Sequence, residues 1–176
     1  MNKGSYLFVD GYNVINSWEL FKELKETDLS HARDILSDML SNYAAFKGCK
    51  AILVFDAYAV KTPLAIEERS GVEVVFTEEG ETADSYIEKT AYILLRSKEI
   101  VFVVTGDHSE QLMILGMGAY RMTSGELLED YVVVCNDIKE RIKGNRPLSH
   151  RREIASRIND DVLHKLERLR RKEEEG

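Results

Sequence analysis

The chain has 176 residues, 44% of them apolar, and a formal net charge of −7. That length suits one domain with a sizeable core, and no apolar run approaches the roughly 20 residues of a membrane span. Cys49 and Cys135 are too few and too far apart for a disulfide framework or a zinc site. The opening MNKGSYLF lacks the shape of a signal peptide. These features lead us to expect a cytoplasmic protein with reduced thiols and no membrane association.

A net negative charge argues against nucleic acid, but its distribution reverses the sign locally. Residues 139–172 hold twelve Lys/Arg against five Asp/Glu, a local charge of +7. Such asymmetry points to a polyanionic partner reached by one end of the chain. The competing reading is a solvated surface helix.

The first predicted element is a strand over Tyr6–Val9, ended by Asp10, with Gly11 allowing a sharp turn. A helix over Val14–Glu26 carries Ile15, Trp18 and Phe21. Thr27 and Asp28 can cap the next helix, whose apolar positions run from Leu29 to Tyr43 at helical spacing until Gly48 stops it. Cys49–Phe55 is a second strand ending at Asp56. Residues 57–71 read as a polar, irregular connection. Val72–Thr77 is a third strand, and Thr82 caps a helix reaching about Ser97, with Asp84 and Glu88 one turn apart. Ile100–Val104 is a fourth strand, closed by Thr105, Gly106 and Asp107. A short helix over Ser109–Leu115 and a short strand over Ala119–Met122 follow. Thr123 and Glu126 form a capping box for a helix to about Lys143. A Pro-containing loop then leads to a last helix after Asn159 and a fraying tail. We divide the chain into a domain over 1–143 and a basic C-terminal segment over 144–176 that packs on or extends it. Strands alternating with helices predict an α/β fold, an α/β/α sandwich of roughly five mostly parallel strands.

Asp10, Asp56 and Asp107 end strands, and Asp84 opens a helix after one. A parallel sheet puts all four at its C-terminal edge, where open α/β sheets bind ligands. If the first and fourth strands are neighbours, the topological switch lies between Asp10 and Asp107. Taken singly, each acid has a bland role as a helix cap or strand end. Together they repel, which favours a counter-cation. Oxygen-only donors suit Mg²⁺ or Mn²⁺, the ions of phosphate chemistry.

The stretches VDGYNVIN (9–16), VFDA (54–57), ETADSYIE (81–88) and TGDHSEQ (105–111) carry a further signal. In that order, and with RINDDVLHKLERLRR near the end, they resemble PIN-like nucleases, specifically the YacP-like branch of the NYN domain family. The resemblance implies a PIN-like fold and a divalent-metal-dependent endoribonuclease that cuts mRNA on the ribosome. It implies that Asp10, Asp84 and Asp107 hold the metal and that Asn13 orients Asp10 or the phosphate. Asp56, Glu88, Glu110 and Thr105 would act behind them or through water. Lys61, Arg69, Lys143, Arg146, Arg151, Arg152, Arg157, Arg168, Arg170 and Arg171 are the candidate contacts to RNA or the ribosome. In one departure, related NYN nucleases carry a second aspartate one turn after the position of Asp107, where this chain has Gln111 beside Glu110. Two rival readings stand beside the nuclease. One is a binding module of the same fold without chemistry. The other is a phosphoacceptor switch at Asp56, which fits poorly because Asp10 is followed by glycine and Asp56 ends the second strand.

Overall fold

The computed structural model describes residues 4–56, 64–106 and 114–144. Its frame is a six-stranded sheet in the order β3-β4-β2-β1-β5-β6. The strands are β1 (Tyr6–Asp10), β2 (Lys50–Phe55), β3 (Ala65–Arg69), β4 (Val72–Phe76), β5 (Val101–Val104) and β6 (Tyr120–Met122). All neighbours run parallel except β3, which lies antiparallel on β4. The helices are α1 (Gly11–Ser17), α2 (Leu24–Thr27), α3 (Leu29–Lys47), α4 (Ala83–Arg96) and α5 (Ser124–Gly144), with a 3-10 turn at Glu19–Phe21. Among the described residues no helix is long and apolar enough to cross a membrane.

Alternation along the strands sorts side chains onto two faces. Leu7, Val9, Leu53 and Phe55 join the apolar sides of α1, α3 and α5 in the larger core. Phe8, Ile52, Val54 and Val103 meet Ala83, Ile87 and Ala91 of α4 in the smaller one. The result is three layers around a mostly parallel sheet, as the strand–helix alternation predicted. Several local signals hold as well. Asp28 accepts from the His31 N–H at 2.9 Å to begin α3, and Gly48 ends it with φ of 70°. Thr123 and Glu126 exchange the two bonds of a capping box.

Three expectations need correction. The connection before β4 is not irregular throughout, because Ala65–Arg69 pairs with β4 through a tight turn at Ser70 and Gly71 (φ 53° and 83°). The sheet therefore has six strands. The expected helix over Val14–Glu26 is broken at Trp18, which is extended (φ −85°, ψ 123°). Its indole N–H donates to the Ser124 carbonyl at 2.9 Å, and that tertiary bond holds the ring in the core. Gly11 is not a turn residue: it opens α1 without a positive φ. Its need for glycine is steric, since a Cβ there would lie 2.2 Å from the Phe55 ring.

The predicted helix over Ser109–Leu115 falls largely outside the described residues, and the C-terminal helix falls wholly outside them.

Candidate active site

The chain builds β1, then β2 and β4 to one side, and returns to place β5 on the other side of β1. The topological switch therefore lies between β1 and β5, where the acidic reading required it. Asp10 ends β1 there and caps α1, with its Oδ1 accepting from the Asn13 N–H at 3.0 Å. Burial, joined by the charges of Asp84 and Asp56, pushes the Asp10 carboxyl up to about 6 against the pull of that N–H. The fold thus brings three of the predicted acids into one electrostatic unit.

Asp56 has a definite local task. Its Oδ1 accepts from the Ala83 N–H, so the end of β2 grips the first turn of α4. Thr82 adds its hydroxyl to the Ser85 N–H at 3.1 Å. Both bonds fix the turn that carries Asp84, whose negative charge also suits a helix N-terminus.

Asn13 faces the crevice from α1. Its Oδ1 is buried and has no hydrogen-bond partner among the described residues. The same amide presses on Gly106, where a Cβ would lie 2.8 Å from both Nδ2 and Oδ1. Thr105 is fully buried, and its N–H donates to the Met122 carbonyl at 3.2 Å. The Thr105–Gly106 pair thus lets the end of β5 close against Asn13.

The remaining candidates separate. Glu88 is exposed and lines an open groove of about 590 Å³ beside α4 with Lys89, Tyr92 and Met117. Arg69 lies on the edge strand β3 with its guanidinium held by Asp34 and Glu67. Lys143 lies in the last turn of α5. Asp107, Glu110, Lys61 and the basic residues from Arg146 to Arg171 lie outside the described residues. Among the described residues no three His, Cys, Asp or Glu side chains form a metal-holding group. Sequence reasoning missed Arg33, a half-buried cation on α3 over the rings of Phe55 and Phe76. Its partners come from two different strands, so no local spacing announces it.

The chain belongs to a nuclease-type family, the YacP-like NYN domain family, whose family model matches residues 7–171. Among curated proteins it is 37% identical over 165 residues to the uncharacterized protein YacP of Bacillus subtilis (strain 168), covering 94% of this chain and 96% of that one. The crystal structure of Rae1 (YacP) from Bacillus subtilis superposes with a TM-score of 0.68 at 36% identity, over 95% of each chain. A mutant of the same protein gives 0.69 at 33% identity, over 94% of this chain and 99% of that one.

Proposed function

We propose that the protein is a divalent-metal-dependent endoribonuclease of the cytoplasm that cuts mRNA on translating ribosomes. The observation that carries this reading is the grouping of the half-buried Asp10 carboxyl, pushed up to about 6, with Asp84 and Asp56 at the switch of the sheet. A cation there would offset the mutual repulsion of these carboxylates. The oxygen-only donors and the orphaned Asn13 Oδ1 fit a hard cation. In this reading Asp10, Asp84 and Asp107 hold Mg²⁺ or Mn²⁺. When bound, such an ion activates water and offsets charge that develops on the phosphoryl oxygens.

The chain's own residues supply the positioning. The Asn13 N–H fixes the Asp10 carboxylate at the end of β1 through its Oδ1. Asp56 holds the turn that presents Asp84. Asn13 Oδ1, without a partner among the described residues, can accept from a group on the substrate side. Hydrolysis with water as nucleophile leaves 3′-hydroxyl and 5′-phosphate ends. The basic segment over 139–172 grips RNA phosphates or ribosomal RNA, which lets an otherwise acidic domain approach a polyanion.

The test is cleavage of an mRNA engaged on ribosomes by the wild type and by Asp84→Asn, with Mn²⁺ or with EDTA. Discrete cuts that need both the metal and Asp84 support the proposal. If both proteins bind ribosomes and neither cuts, the domain is a silent RNA- or ribosome-binding module and the proposal fails.

A further inference from the structure

The first turns of α3 meet the ends of β2 and β4 over an aromatic pair. Phe55 and Phe76 stack with ring centroids 5.6 Å apart. The Arg33 guanidinium lies over both, 5.9 Å and 5.4 Å from the two centroids. Arg69 reaches the same place, but its fork is bound by Asp34 and Glu67. Arg33 forms no ion pair among the described residues. A guanidinium held over aromatic rings can still donate its N–H groups to an acceptor.

A cavity of about 40 Å³ opens here, lined in part by Arg33, Ser37, Phe55 and Phe76 and by Asp34 and Arg69, whose charges are paired with each other. Ser37 is 3% exposed, and its hydroxyl has no hydrogen-bond partner among the described residues. An unpaired buried hydroxyl costs about 1–3 kcal/mol, which an incoming acceptor would recover. The space takes a few water-sized groups such as phosphate oxygens.

This cluster adjoins the acidic crevice. The Phe55 ring presses on Gly11, the residue after Asp10, and Tyr12 lies against the same ring at 5.0 Å. Asp56 reaches α4, whereas the preceding Phe55 faces α3, so Arg33 and Asp84 stand on opposite faces of one sheet edge. A strand bound at Asp10 and crossing that edge would pass Arg33. The acids repel the chain they act on, and Arg33 supplies compensation beside them.

We infer that Arg33, with the Ser37 hydroxyl beneath it, holds a phosphodiester group of the RNA strand where it crosses the sheet edge next to the acidic crevice. This rests on the nuclease reading above and assigns that site a substrate contact.

The experiment is cleavage of an mRNA engaged on ribosomes by wild type, Arg33→Gln and Arg33→Lys. Rate is followed against enzyme concentration at low and moderate salt, with thermal unfolding of each protein alongside. Arg33→Gln should raise the half-saturating concentration roughly 5- to 10-fold, change the plateau rate far less, and weaken the salt dependence by about 0.7 in logarithmic slope. Arg33→Lys should restore the slope and only part of the affinity. If the wild type cuts and Arg33→Gln saturates at the same concentration with the same slope, the Arg33 assignment is overturned alone. If affinity falls only in step with thermal stability, and Arg33→Lys leaves the slope reduced, the arginine is merely a cover for the two rings. If the wild type does not cut, the nuclease reading falls and takes this inference with it.

Discussion

Asp10→Asn keeps the helix cap and removes the charge, so it separates the two tasks that Asp10 performs. Asparagine caps a helix about as well as aspartate, and its Oδ1 can still accept from the Asn13 N–H. The carboxylate, by contrast, is ionised at a cost. Moving it from 3.8 to about 6 corresponds to roughly 3 kcal/mol against the charged folded state. Its partial exposure to solvent reduces this to about 1–2 kcal/mol. The sign follows from linkage. A carboxyl raised in the folded state stabilises fully below 3.8, and that contribution is lost as pH rises through about 6. Metal-free wild type should therefore lose stability between about pH 4 and pH 6 through this group. Asp10→Asn should lack that component and unfold about 3–8 °C higher at neutral pH, while losing cleavage. The assay is thermal unfolding in EDTA across that pH range, with ribosome-engaged cleavage in Mn²⁺. A variant that unfolds no higher than wild type, with the same pH dependence, would refute the argument that Asp10 is held ionised under strain.

Gly11→Ala should cost about 1–3 kcal/mol, because its Cβ would lie 2.2 Å from Phe55; urea unfolding within experimental error of wild type would mean the ring moves aside freely. Asp130 accepts from the Tyr43 hydroxyl at 2.6 Å and from Lys47 at 2.8 Å. Burial pushes its carboxyl up, but those two partners outweigh it and hold the group below its usual value. Its contribution is therefore present above 3.8 and fades as pH falls through the lowered value. Asp130→Ala should lose about 1–3 kcal/mol at neutral pH and differ less from wild type in acid, as measured by urea unfolding at both pH values.

The parts of the fold visible in the sequence are those written in local chemistry. β1, β2, β4 and β5 are mostly apolar runs buried on both faces; the caps at Asp28, Thr82 and Thr123 sit where their side chains find the expected partners, and Gly48 ends α3 through its left-handed backbone. β3 was missed because Ala65–Arg69 is an edge strand with four of its five residues exposed, so it shows no apolar alternation. Its one signal was the Ser70–Gly71 pair before the next strand. Trp18 was misplaced in a helix because its spacing from Ile15 and Phe21 is helical. A bond to Ser124, far along the chain, decides its backbone instead. At the site, the grouping of Asp10, Asp56 and Asp84 was legible once parallel strands were assumed, since each acid follows a strand. The order of those strands is a tertiary fact, as are the seat of Gly106 against Asn13 and the stack beneath Arg33.

The central position of β1 has a consequence for when this site can exist. Tyr6 pairs with Lys50 on one side and with Val101 on the other, so the first strand to leave a ribosome waits for most of the chain before it is enclosed. Closing such long loops precedes any gain from the contacts they bring, and this slows folding. Until α4 and β5 emerge, Asp10 has neither Asp84 beside it nor a strand on its open flank, and an incomplete chain carries no assembled acidic crevice. The topology ties assembly of the site to the synthesis of β5, long after β1 has been made.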